Sequence, residues 1–219
     1  MVPVVIVPVL NRYDLLERAL GSIDYPVETL LVIDNGGKSS LHEWPWMIDR
    51  RKIAKYHVWS MPSNLGVAPS WNLGIKATPR AAGWLLLNSD AYFTPGQLES
   101  FYHECGEDVV VKTERAWSCV WVGRKVVEKI GLFSECYVPA YFEDNDFELR
   151  AKAYGVEVVT SSLVVGHDNS STIRADGFYQ SKNLVSFDAN RRLHDQRWAE
   201  GVPEPGAWDL LRRCELGWD

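Results

Sequence analysis

Four carboxylates crowd the segment Phe142-Glu143-Asp144-Asn145-Asp146-Phe147-Glu148, and Tyr141, Phe142 and Phe147 stand among them. Two physical accounts fit. Acids in the first turn of a helix complement the positive end of its dipole. Apolar neighbours, in turn, raise a carboxylate's pKa and make it a usable general base, which suits Glu143 and Asp144. A second acidic feature, Asn88-Ser89-Asp90, follows the apolar run Trp84-Leu85-Leu86-Leu87. An oxygen-rich strand end of this kind can hold a hard divalent cation through one or two carboxylates, or can be plain loop polarity. His167 also follows an apolar stretch and offers either an imidazole for the same ion or a structural contact. Asp34 closes the apolar run from Thr29 to Ile33 and precedes Asn35-Gly36-Gly37. Its carboxylate either closes a turn on its own backbone or accepts hydrogen bonds from a ribose or a uracil-like imide N–H.

Groups so dispersed in sequence need strands that end at one rim. The continuous apolar run Val4-Val5-Ile6-Val7 predicts a strand buried on both faces, and Leu15, Leu16, Ala19, Leu20 and Ile23 form the stripe of a following helix. Further strands are expected over Thr29 to Ile33, Tyr56 to Ser60, Trp84 to Leu87, Val109 to Val111, Ser118 to Val122, Val156 to Thr160 and Leu163 to Gly166. Helices are expected within Val67 to Ala77, over Arg124 to Ile130, over Asn145 to Tyr154 with Gly155 closing it, and within Gly177 to His194. Thr94-Pro95-Gly96-Gln97 reads as a helix start, with Thr94 as N-cap and Gln97 completing a capping box, for a helix running to about Cys105. The alternation predicts an α/β domain with a mostly parallel, Rossmann-like open sheet and helices on both faces. Ligands then bind at the carboxyl ends of the strands, where Asn11-Arg12, Asp34-Asn35, Asn64-Leu65-Gly66 and Asn88-Ser89-Asp90 all fall.

Composition agrees with one substantial core: 219 residues, 46% apolar and 24% charged, with no repeat or low-complexity stretch. The 23 basic against 29 acidic side chains give a net charge of −6, which offers no blanket attraction to nucleic-acid phosphates. Cys105, Cys119, Cys136 and Cys214 form no C-x-x-C pair, so neither a zinc knuckle nor a disulfide framework is indicated, and a reduced cytoplasmic setting is expected. The opening Met1 to Leu10 has no basic leader and carries Pro3 and Pro8, and no apolar run approaches the length of a membrane span. Asn169-Ser170-Ser171 matches a glycosylation pattern that has no meaning without secretion. No G-x-G-x-x-G follows the first strand, and no Walker lysine or G-x-S-x-G elbow is present, which removes dehydrogenase, P-loop and α/β-hydrolase readings.

In order, the pieces resemble the GT-A glycosyltransferases, specifically the inverting, rhamnosyltransferase-like family 2. The residues carrying the resemblance are Val7-Pro8-Val9-Leu10-Asn11-Arg12, Val32-Ile33-Asp34-Asn35-Gly36, Asn64-Leu65-Gly66-Val67 with Trp71-Asn72-Leu73-Gly74-Ile75, and Leu85-Leu86-Leu87-Asn88-Ser89-Asp90. Gly131-Leu132-Phe133, Tyr141 to Asp146, His167 and Tyr179-Gln180-Ser181-Lys182-Asn183 continue it, so that it covers about Val4 to Asn190. The resemblance implies transfer of a sugar from a nucleotide diphosphate sugar, UDP or dTDP favoured, to an acceptor hydroxyl in one inverting displacement. It implies that Pro8, Asn11, Arg12, Asp34, Asn64, Gly66, Asn72, Asn88, Ser89 and Lys182 bind the nucleotide. Asp90, as the last carboxylate of a D-x-D element, and His167 would hold Mn²⁺ or Mg²⁺, and Asp144 would be the general base with Glu143 supporting it. Asn88 stands where the pattern has its first Asp, so one negative ligand is missing.

The expected organisation is one domain over residues 1–194, with the nucleotide part at about 1–105 and the acceptor part at about 106–194, and an irregular tail over 195–219 at the domain surface or a subunit contact. The acceptor is a carbohydrate, protein or other hydroxyl-bearing molecule; a homo-oligomer fits equally well. Arg191, Arg192, Arg197, Arg212 and Arg213 form a basic subset that serves a nucleic-acid acceptor or, more simply, pairs with Asp195, Glu200 and Glu215. Two rivals remain: a nucleotidyltransferase on a similar fold, which calls for a glycine- and Arg/Lys-rich loop after the first strand, and a noncatalytic carbohydrate- or protein-binding relative. Of ten tryptophans, Trp71 and Trp84 are expected in the core or pocket wall, and one of Trp117 and Trp121 is expected to face the sugar. Trp44, Trp46, Trp59, Trp198, Trp208 and Trp218 lie outside the matched motifs, as candidates for an acceptor or subunit surface.

Overall fold

β-Branched residues fill the first strand, β1 (Val2–Val9), and its side chains alternate between two apolar layers. Val5, Val7 and Val9 pack with Leu16 and Leu20, while Val4 and Ile6 pack with Trp71, Ile75 and Trp84. The period of two, applied to a run apolar at nearly every position, forces helices onto both faces. The computed structural model describes residues 1–37, 48–113, 116–167 and 177–202, with the side chains of 116 and 177–184 outside the description.

Strand β1 pairs in parallel with β2 (Val27–Asp34) and β4 (Gly83–Leu87), and β2 pairs in parallel with β3 (Ile53–Ser60). Helix α1 (Tyr13–Gly21) covers one face with Leu15, Leu16, Ala19 and Leu20; α2 (Val67–Ala77) covers the other. The seven-stranded order is β3-β2-β1-β4-β7-β6-β8. Strand β6 (Val109–Thr113) runs parallel to β8 (Glu157–Ser161), so the sheet is mostly parallel as expected. Strand β7 (Cys119–Gly123) is the exception, antiparallel to both β4 and β6. The connection over 114–118 is too short for a crossover helix, so the chain can only turn back on itself. Helices α4 (Arg124–Ile130) and α5 (Glu143–Ala153) cover the face already occupied by α2.

Several boundaries differ from expectation, β3 beginning at Ile53 instead of Tyr56 and α5 at Glu143 instead of Asn145. Helix α3 (Gln97–Tyr102) starts later and stops earlier, with Gly96 as N-cap at φ 80. Half of the expected capping box forms, the Gln97 side chain accepting the Thr94 N–H at 2.8 Å, but Thr94 to Gln97 is a turn. The expected strand over Leu163 to Gly166 reduces to β9 (Gly166–His167), which pairs with an unforeseen two-residue strand, β5 (Ala91–Tyr92). The last helix, α6 (Gly177–Ala199), runs beyond His194 into the segment expected to be irregular. The rest of that tail, from residue 203, lies outside the described residues, as do Trp44, Trp46, Trp208, Trp218, Cys214, Arg212, Arg213 and Asn169-Ser170-Ser171.

Tryptophan placement corrects one expectation. Trp71 and Trp84 are core residues, but so are Trp117 and Trp121, whose burial leaves little indole surface for a sugar. Trp117 stands edge-on to Phe133 and Phe147, and the Trp121 indole donates to Gly106 O at 2.7 Å. Cys105, Cys119 and Cys136 are free thiols. Among the described residues no helix is long and apolar enough to cross a membrane.

Candidate active site

The carboxyl ends of β1 to β4 share one rim, and Asp34 is the last residue of β2. The turn reading of this carboxylate holds. Oδ1 closes the turn by accepting the Gly36 N–H at 3.0 Å, and it also accepts the Tyr13 hydroxyl at 2.7 Å. Oδ2 is buried with no partner among the described residues. A buried carboxylate oxygen without a donor is costly, and this one is able to accept a ligand N–H or O–H.

Next to it, Asn35 accepts the Leu65 N–H at 3.0 Å and donates to Ser70 Oγ at 2.9 Å, and Ser70 donates to Gly66 O at 2.6 Å. These bonds tie the 64–66 loop to the end of β2. Asn64 turns the loop by accepting the Gly66 N–H at 2.9 Å. Gly66 itself has φ +91, and a Cβ there would meet Pro139 O at 2.6 Å, so only glycine serves. The sequence places Asn35 at a strand end and in the matched motif, but its role depends on a loop 30 residues away.

Pro8 lies near the end of β1 opposite Ile33. Asn11 and Arg12 follow, and Arg12 caps α1 from the left-handed region, φ 53, with its guanidinium on both oxygens of Asp14 at 2.9 and 2.7 Å. Asn72 is not on the rim in any polar sense. Buried to 1%, its amide donates to Phe133 O and to Glu135 Oε1 at 2.9 and 2.8 Å and accepts the Phe133 N–H at 3.0 Å, tying α2 to the segment after α4. The Lys182 side chain lies outside the description.

After β4, Asn88-Ser89-Asp90 turns the chain, with Ala91 N–H donating to Asn88 O at 3.0 Å and Asn88 N–H donating to Ser118 O at 2.8 Å. Ser89 and Asp90 are buried. Pairing of Ala91 with His167 across β5 and β9 brings His167 Nε2 to 3.1 Å from Asp90 Oδ1. Among the described residues no group of three or more His, Cys, Asp or Glu side chains could cage a metal. One carboxylate and one imidazole fit an ion whose remaining positions are filled by phosphate oxygens and water, the usual habit of Mg²⁺ and its relatives.

The four carboxylates of α5 separate into two classes. Asp146, fully buried, pairs with Arg150 at 3.0 Å and accepts the Tyr137 hydroxyl at 3.3 Å, and Arg150 also donates to Ile130 O and Leu132 O. Glu148 receives Lys112 and Lys152, both at 2.6 Å, and the Trp117 indole at 3.1 Å. Burial pushes the Glu148 carboxyl up, but the hydrogen bonds from Lys112, Lys152 and Trp117 outweigh it and hold it at about 2. Among the described residues no cation is hydrogen-bonded to Glu143 or Asp144. Burial, then the Asp144 charge, raises Glu143 to about 8, and Glu143 Oε2 is buried without a partner. Burial also raises Asp144, whose Oδ1 accepts the Asn145 N–H at 2.8 Å.

Comparison with solved structures gives this arrangement a context. The mannosyltransferase PcManGT from Pyrobaculum calidifontis, in complex with GDP-Man and Mn²⁺, matches over 93% of this chain and 66% of its own, with TM-score 0.67 and 16% identity. The fold is that of the GT-A glycosyltransferases. Among other GT-A structures, S. aureus TarS matches over 75% of this chain and 59% of its own at TM-score 0.56 and 18% identity. GalNAc-T7 with UDP, GalNAc and Mn²⁺ matches over 76% and 44% at TM-score 0.62 and 10% identity. The chain thus spans between 44% and 66% of the length of these three GT-A proteins. No protein-family model and no curated protein sequence matches it.

Proposed function

We propose that the chain is a metal-dependent, inverting glycosyltransferase of the family 2 type that moves a sugar from a nucleotide diphosphate sugar to an acceptor hydroxyl. The observation that carries this reading is the meeting of Asp90 and His167 at 3.1 Å on the rim of a GT-A fold. These two side chains would hold Mn²⁺ or Mg²⁺. When bound, the ion supplies positive charge against the diphosphate leaving group. Asp34 Oδ2 accepts the imide N–H of the base or a ribose hydroxyl, which favours UDP or dTDP, and the 64–66 loop, fixed by Asn35, lines the same pocket.

Asp144 takes the acceptor proton on the carboxylate oxygen not used by Asn145. Its raised pKa suits it for that. With Glu143 raised to about 8, Asp144 receives its proton beside a neighbour that is itself mostly neutral at about pH 7. The loop after β1 presents one guanidinium bound to Asp14 instead of a triphosphate cradle, which speaks against the nucleotidyltransferase reading. Calorimetry with UDP-, dTDP- and GDP-sugars, with and without Mn²⁺, on the wild type and Asp90→Ala tests the reading. Metal-dependent binding of one donor, lost in the variant, is expected. Binding of none sinks it and leaves the noncatalytic relative.

A further inference from the structure

Asn190 lies on α6, far in sequence from the acidic motif it touches, yet it is only 5% exposed. Asparagine has no helix-propensity reason to sit mid-helix, and a buried amide must find partners. Its Nδ2 donates to Ala140 O at 2.9 Å, with Val138 O at 3.3 Å and Tyr141 O at 3.4 Å sharing the two hydrogens. Those carbonyls line the segment that delivers the chain into α5.

That segment is strained. Tyr141 and Phe142 both lie in the left-handed region, φ 76 and 77, where residues with side chains stay only when their surroundings hold them. Phe187, three residues before Asn190 on α6, packs its ring on Tyr141 and Phe142 with centroids 5.3 and 5.1 Å away. His194, one turn after Asn190, packs on Phe142 at 5.5 Å. The other edge of the segment meets the 64–66 loop, since Pro139 O accepts the Val67 N–H at 2.9 Å and occupies the space of the missing Gly66 side chain.

The geometry points to Asn190 as the positioning residue of the acidic pair, holding the carbonyls of Val138, Ala140 and Tyr141 so that Glu143 and Asp144 leave the strained turn in register with the 64–66 loop. The inference deepens the assignment of Asp144 as base and rests on it for its kinetic consequence. Asn190 touches no reacting atom; it acts through the backbone. The donor loop keeps its bonds to Asn35 and Ser70, which lie outside the displaced segment, so loss of the Asn190 amide moves the base more than the donor pocket.

Three variants test this. Asn190→Asp keeps the shape and removes the donor, Asn190→Ala removes both, and Asn190→Gln retains a donor on a longer arm. Displacement of a catalytic group by about 1 Å costs about 100-fold in rate, so kcat, corrected for folded fraction by chemical denaturation, should fall about 10- to 100-fold in the first two. Donor KM should change by less than about 3-fold, and Asn190→Gln should recover part of kcat. Carbon-13 carboxyl spectra supply a readout free of activity: the Glu143 and Asp144 signals should move while that of Glu148 stays. Should Asn190→Asp or Asn190→Ala fold poorly, the same spectra of Asn190→Gln decide. Transfer in the wild type with unchanged kcat and carboxyl signals in the variants overturns the role of Asn190. Selective carboxyl movement in a protein that transfers no sugar upholds it and overturns the assignment of Asp144.

Discussion

The Tyr13 hydroxyl donates to Asp34 Oδ1 over 2.7 Å and leaves Oδ2 of the same buried carboxylate without a partner. Helix α1 thereby aims an acceptor from the end of β2. Asp34→Ala should weaken nucleotide binding by about 1.5–3 kcal/mol, the worth of a hydrogen bond to a charged group. Tyr13→Phe, which removes only the orienting bond, should cost about 1 kcal/mol of stability and leave most of the binding. Titration calorimetry with UDP and a urea melt read the two effects; equal UDP affinity in Asp34→Ala removes Asp34 from the pocket.

Asp90 and His167 come together only because β5 pairs with β9. Asp90→Asn and His167→Ala should each lower the Mn²⁺-dependent part of nucleotide affinity by about 10-fold or more, while metal-free binding stays. Calorimetry with and without Mn²⁺ measures this, and an unchanged metal increment in both variants counts against the site.

Neighbouring acids on α5 should respond in opposite ways. Asp144→Asn should lower kcat by about 10²- to 10⁴-fold with stability and donor KM near wild type. Asp146→Ala leaves Arg150 buried and unpaired, and should cost about 3–5 kcal/mol of stability in chemical denaturation. Transfer activity surviving in Asp144→Asn would assign the base elsewhere.

Glu143 gives stability a specific pH dependence. Its folded pKa, about 8, lies above the ordinary value of 4.5, so the folded state binds the proton more tightly. This contribution is complete below about pH 4.5, declines as the unfolded carboxyl ionises, and is fully lost once pH rises through about 8. Glu148, held at about 2, acts oppositely: its contribution is present above about 4.5 and is lost as pH falls through about 2. Glu143→Gln should therefore flatten the loss of Tm between pH 5 and 8, read by thermal melts across that range. A wild-type Tm that does not fall there contradicts the protonated carboxyl.

The long strands were readable because burial on both faces demands unbroken apolar runs, as in Val4 to Val7 and Thr29 to Ile33. Two-residue strands have no period to detect, which hid β5 and misplaced the bounds of β9. The reversed β7 was hidden for another reason: its residues are those of any buried strand, and only its neighbours define its direction. Trp117 and Trp121 misled for the same reason, since indoles suited to a sugar face serve equally in a core.

The sequence by itself determined the kinds of chemistry at the rim, because residue type and strand period are local: Asp34 and Asp90 must follow buried strands, and an acidic cluster must open α5. Tertiary structure decided which carboxylates stay available. Lys112 reaches Glu148 across 36 residues, Tyr13 reaches Asp34 across 21, and Asn190 reaches Ala140 across 50. A carboxylate's charge and hydrogen-bond vacancy depend on burial and on partners that only folding delivers, so Glu143 and Asp144 become distinct from Asp146 and Glu148 only in three dimensions.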